Sequence, residues 1–118
     1  MWLSGNSRGL NRRKRSLLMT DNQETRRLRR VVQLTMEPGR QEELRLALLD
    51  LRKDTLEEPG CAEFDFYRSL ADDAAFLLVE DFADNTALEE HLDKPYTQAF
   101  FKLGFLKSAE PISREWLA

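Results

Sequence analysis

Two Pro-Gly pairs, Pro38-Gly39 and Pro59-Gly60, bracket one amphipathic stretch, and that bracket limits the possible folds more than any other feature of the chain. Between them Leu44, Ala47, Leu48, Leu51 and Thr55 recur at i, i+3, i+4, i+7 and i+11, the spacing of a buried helical stripe. Leu46, Leu49 and Leu56 fall on the opposite flank, giving this helix a wider apolar surface than one core contact requires. Proline lacks the amide that continues a helix and glycine tolerates the reversed backbone of a tight corner, so a helix of about sixteen residues is expected with a sharp turn at each end.

The segments outside the bracket alternate as strands do. Arg30 to Met36 contains the β-branched pair Val31-Val32 and places Val32, Leu34 and Met36 on one face. Cys61 to Leu70 sets Phe64 and Phe66 against Asp65 and Tyr67 on the other face. Ala71-Asp72-Asp73 turns into a third strand, Ala74 to Phe82, so the two make a hairpin. Asp84 is a natural N-cap for a helix running to about Asp93, because its carboxylate can accept from the open amides of the first turn. Pro95 suits the first position of another helix, with Tyr96, Ala99, Phe100 and Leu103 as its apolar stripe. Glu110 to Leu117, with Ile112, Arg114 and Trp116, closes as a fourth strand. The order β-α-β-β-α-β is that of an α+β, ferredoxin-like domain: a four-stranded antiparallel sheet with helices on one face.

At 118 residues the chain has material for one core. No apolar run approaches the roughly 18 residues of a membrane-spanning helix, and a cytoplasmic location is expected. Cys61 is the only cysteine, which excludes a disulfide within the chain and a cysteine metal cluster; it reads as a small buried apolar residue. The net charge of −3 conceals a split. Residues 1–30 hold nine Lys or Arg against Asp21 and Glu24, whereas residues 31–118 hold nine basic and nineteen acidic side chains. The acidic part repels a nucleic-acid backbone, so any such binding falls, weakly, to the tail.

Residues 1–28 therefore read as a disordered basic extension and 29–118 as the folded domain. The extension lacks the apolar core of a secretory signal. An Arg-rich transit peptide, a basic patch at Arg12-Arg13-Lys14-Arg15 and an over-extended start ahead of Met19-Thr20-Asp21 remain as readings of it.

Phe76-Leu77-Leu78-Val79 is apolar on both faces, although one face of such a sheet should be polar. Leu77 and Val79, joined by Tyr67, mark a surface that needs a partner, and a second copy meeting it sheet to sheet gives a two-fold homodimer.

Few chemical constellations are available. One His and one Cys do not make a zinc site, and neither a GxGxxG nor a GxxxxGK[ST] sequence occurs. Glu80 shares strand parity with Phe76, Leu78 and Phe82 and so faces the helices, where it requires a partner such as Arg114 or a helix N-terminus. His91 lies at the edge of the Ala87, Leu88, Leu92 stripe. Phe64, Phe66, Phe82, Phe100 and Trp116 are either core or the walls of an apolar pocket suited to a planar ligand.

In their order and spacing these pieces resemble the antibiotic biosynthesis monooxygenase domain family, which includes bacterial quinol monooxygenases. The resemblance covers roughly residues 30–117. It is carried by Pro38-Gly39, Glu58-Pro59-Gly60-Cys61, Phe64, Tyr67 and Glu80-Asp81-Phe82, then by Ala87-Leu88-Glu89-Glu90-His91-Leu92, Lys94-Pro95-Tyr96 and Ala99-Phe100. Phe82 stands where many relatives have Trp and Tyr96 where many have a second His; Ala99-Phe100-Phe101 lacks the histidine of haem-degrading relatives. The resemblance implies a dimeric α/β barrel that oxygenates an aromatic quinol or phenol with dioxygen, without flavin, haem or metal. His91 is then the expected base, Glu80 its orienting partner or a substrate contact, and Tyr96 a donor to the developing oxyanion, with the five aromatic residues as walls. Two alternatives on the same scaffold stay open: a non-catalytic small-molecule-binding dimer, and an isomerase.

Overall fold

Residues 26–117 are described by the computed structural model. The reading of the basic extension falls almost entirely on residues 1–25, outside the described residues. The elements run β1 (Arg27–Met36), α1 (Gln41–Leu56), β2 (Cys61–Arg68), β3 (Ala75–Phe82), α2 (Asn85–Asp93), α3 (Pro95–Lys102) and β4 (Leu106–Leu117). One sheet holds all four strands in the order β2-β3-β1-β4, every neighbouring pair antiparallel. This is the ferredoxin-like arrangement expected from the sequence, with the second helical segment broken in two. No described helix is long and apolar enough to cross a membrane.

The Pro-Gly bracket bounds the helix as anticipated, although of its two glycines only Gly39 takes the reversed backbone. Gly39 takes a φ of +87°, a conformation that a Cβ would strain, and α1 follows with Leu44, Leu48, Leu51 and Thr55 buried. Leu46, Leu49 and Leu56 are exposed. Asp84 caps α2 by accepting from the Ala87 amide at 2.8 Å. Lys94 is extended because it precedes Pro95, which ends α2 and opens α3. The core lies between one sheet face (Leu28, Val32, Leu34, Met36, Phe64, Leu78, Phe82) and the stripe of α1, closed by Leu88, Phe100 and Phe105.

The sheet differs from expectation at both ends of the chain. β1 begins at Arg27, not Arg30, because its arginines are matched by carboxylates on neighbouring strands. Arg27 makes a two-pronged pair with Asp81 at 2.8 and 2.7 Å, and Arg29 meets Glu63 at 3.3 Å. Arg30 donates through Nε and Nη2 to Glu80, the Nε bond being 2.8 Å. β4 begins at Leu106, four residues before the expected start. Register shifts between Val31 and Val32 and between Thr35 and Met36 break its alternation, and Ile112 is left exposed. The α3 stripe is rotated from expectation: Thr97 and Phe100 are buried, while Ala99 and Leu103 are exposed.

On the face away from the helices Leu77 and Tyr67 are exposed and Val31 and Val79 half-buried. They form the apolar surface read from the sequence, bordered by the Arg27–Asp81 and Arg29–Glu63 pairs.

Candidate functional site

The corner after α1 sets the site. A Cβ added to Gly60 would come within 2.6 Å of the Ala87 Cβ, so only glycine lets the corner rest on the first turn of α2. The Gly60 carbonyl accepts from the Ala83 amide at 2.7 Å and locks the contact. Ala87 is one helical turn before His91, so the same docking brings Glu58 to the imidazole. Glu58 Oε2 lies 3.0 Å from His91 Nδ1, with both side chains almost wholly shielded from solvent. The Tyr96 hydroxyl, from the first turn of α3, donates to the same carboxylate oxygen.

A carboxylate only accepts, so the neutral imidazole carries its proton on Nδ1 and keeps a lone pair on Nε2. Nε2 has no hydrogen-bond partner among the described residues. The ring packs against Phe64 and Phe82, at centroid distances of 5.1 and 5.3 Å. Burial and then the Glu58 carboxylate push the Tyr96 phenol far above its ordinary pKa, so it stays protonated and remains a donor. Burial, with Glu58 second, pushes the Cys61 thiol up to about 12, which makes it a packed group and no nucleophile.

His91 lines a chamber of about 30 Å³ under α3. Phe64, Phe66 and Phe100 are among its walls, and Thr97 also faces it. The Thr97 hydroxyl oxygen is buried with no hydrogen-bond partner among the described residues. A polar group left so costs about 1–3 kcal/mol. The chamber is large enough for one water or one diatomic molecule, and its two polar contributions are an imidazole and a hydroxyl.

Of the eight residues expected at a site, the structure brings His91, Phe64, Phe66 and Phe100 to the chamber. Phe82 packs against the imidazole without lining the chamber, and Tyr96 is reached through Glu58. Two lie elsewhere. Glu80 does not orient the imidazole; it is directly across the ladder from Arg30 and is held there in a buried ion pair. Arg114 makes no hydrogen bond to it among the described residues: burial and the nearby Arg30 charge lower the Arg114 pKa, with the Glu80 charge partly offsetting them, and its guanidinium lies 5.5 Å from the Trp116 ring centroid. Trp116, opposite Leu28 on β4, is outside the chamber.

Glu58 and Thr97 belong to the site and were not anticipated. Glu58 opens the corner motif, but at a helix end it reads as a solvated acid, and its partner is 33 residues away. The signal that could have found Thr97 is its i, i+3, i+4 spacing with Phe100 and Phe101, which the expected Tyr96, Ala99, Phe100, Leu103 stripe passes over. Among the described residues no three His, Cys, Asp or Glu side chains are grouped to hold a metal.

Comparison with known proteins agrees with this architecture. A family profile described as antibiotic biosynthesis monooxygenase matches residues 27–103. No curated protein matches significantly. Among solved structures, a Pseudomonas aeruginosa protein shares 23% identity over 80% of this chain and 97% of its own, with a TM-score of 0.69. A Shewanella oneidensis protein shares 26% over 80% and 95%, with a TM-score of 0.68. A structure described as an antibiotic biosynthesis monooxygenase shares 19% over 73% and 96%, with a TM-score of 0.65.

Proposed function

Since the chain belongs to the antibiotic biosynthesis monooxygenase family, we propose that it oxygenates an aromatic quinol or phenol with dioxygen, using its own side chains and no bound cofactor. The observation that carries this reading is the Glu58–His91 pair. A buried imidazole, oriented through Nδ1 and open at Nε2, faces a chamber of diatomic size. Once Phe66 swings aside to admit the ring, His91 Nε2 takes the phenolic proton, and Glu58 stabilises the imidazolium that results. The electron-rich phenolate then reduces dioxygen beside it. For a hydroquinone, one oxygen atom enters the ring to give a hydroxyquinone and the other leaves as water. The four electrons and the two hydrogens of that water come from the substrate. Apolar walls keep bulk water from the reactive pair. Tyr96 acts through Glu58 by holding its carboxylate in place.

Two copies are expected to associate through the sheet face bearing Leu77 and Tyr67, each with its own chamber on the far side. A second reading, a binding dimer without turnover, draws on the chamber volume, which excludes an aromatic ring unless Phe66 moves.

Oxygen-electrode measurements on a panel of hydroquinones and anthrones separate the two. Uptake above the protein-free rate is expected, falling by about 10²–10⁴ in His91→Ala. Uptake equal to the protein-free rate across the panel would leave only the binding reading.

A further inference from the structure

Phe66 lines two spaces. On one side is the His91 chamber; on the other is a cleft of about 310 Å³ between α1 and the β2–β3 hairpin. The cleft is in the size range of small-molecule sites. Its apolar floor is Leu44, Leu48, Phe66 and Phe76. Arg45, Arg52 and Arg68 surround that floor. They are three of the nine basic residues in an otherwise acidic stretch, residues 31–118. Two are neutralised locally, Arg45 by Glu42 at 2.8 Å and Arg52 by Asp65 at 3.1 Å. Arg68 has no ion pair among the described residues.

Phe64, Phe66 and Arg68 alternate on the same face of β2. Phe64 contacts His91, Phe66 divides the chamber from the cleft, and Arg68 stands about 13 Å along the strand from Phe64. We propose that this cleft is an acid-recognition subsite: the substrate is an aromatic compound bearing a carboxylate, its ring on the Leu44–Phe66–Phe76 floor and its carboxylate on Arg68. The inference rests on the oxygenase reading for the direction in which the ring points, toward Phe66 and His91. A guanidinium selects a carboxylate through two parallel hydrogen bonds, which a neutral analogue cannot replace.

Binding of 6-hydroxy-2-naphthoate and of its methyl ester to the full chain, measured under nitrogen by titration calorimetry, tests the subsite apart from turnover. The acid is expected to bind at least about tenfold tighter than the ester. Arg68→Gln should remove that preference while leaving ester affinity unchanged. Lys53→Gln, the same charge change on α1 but outside the cleft, should keep it. Equal affinities in the wild type, no binding of either compound, or an unaltered preference in Arg68→Gln would each overturn the subsite. Preference without oxygen uptake from any substrate would instead refute the oxygenase reading and leave the subsite standing. Uptake without preference would refute the subsite alone.

Discussion

Glu58 and Glu80 are both carboxylates sheltered from solvent, and their partners separate their roles. Glu80 is paired with Arg30 inside the sheet. Glu80→Gln should destabilise the fold by about 3–5 kcal/mol, because it removes the negative charge that faces the buried Arg30 guanidinium. In chemical denaturation this appears as a lower midpoint, while oxygen uptake per folded molecule stays near wild type. Glu58→Gln should do the reverse, lowering uptake on the order of ten- to a hundredfold with a smaller stability loss, as for other partners that orient a working histidine. Equal effects of the two substitutions on uptake would contradict this division. Sequence parity placed Glu80 facing the helices, but parity reports a face and not a partner. Glu58 was hidden because its neighbours in sequence are solvated, while its partners come from two other helices. Cys61 allows a test by pH. Its raised pKa favours the neutral thiol in the fold, so its contribution to stability is complete below about pH 8.5 and is lost as pH rises toward about 12. At pH 8 a disulfide reagent should modify the native thiol more slowly than the unfolded one, by on the order of tenfold or more, because the loss of thiolate outweighs its higher intrinsic nucleophilicity.

The α1–β2 corner is the element on which the site depends. Gly60 does not have a positive φ, so its requirement is space and not backbone freedom. Gly60→Ala should cost about 1–3 kcal/mol by pressing on Ala87, and should lower uptake because it moves Glu58 from His91. Restoring room with a second substitution, Ala87→Gly, should recover part of both losses; no recovery would mean that the contact with Ala87 does not set the corner. α1 was legible from sequence because its periodicity and both terminators are local. The ends of β1 and β4 were not. Arg27 reads as part of the charged extension, and Arg29 stands ahead of the expected strand, until Asp81 and Glu63 are placed beside them by the sheet. In β4 two register shifts erase the period-two pattern by which a strand is recognised.

For the whole molecule, the sheet has one face under helices and another that exposes Leu77 and Tyr67. Light scattering at micromolar concentration should give twice the 13.8 kDa chain mass. Leu77→Lys should shift the protein toward monomer without unfolding it, since Leu77 is on the side away from the core. A monomeric wild type would refute the assembly, and an unchanged mass for Leu77→Lys would move the interface elsewhere. The chain carries a single histidine, held with its ring tilted 35° from Phe82 and 59° from Phe64. Circulating π-electrons of the two phenyl rings shield or deshield nearby nuclei according to position. The imidazole protons of His91 therefore resonate away from their frequencies in a flexible peptide. With no second histidine to overlap them, they make a native magnetic label, reporting ligand arrival and proton uptake without any added probe.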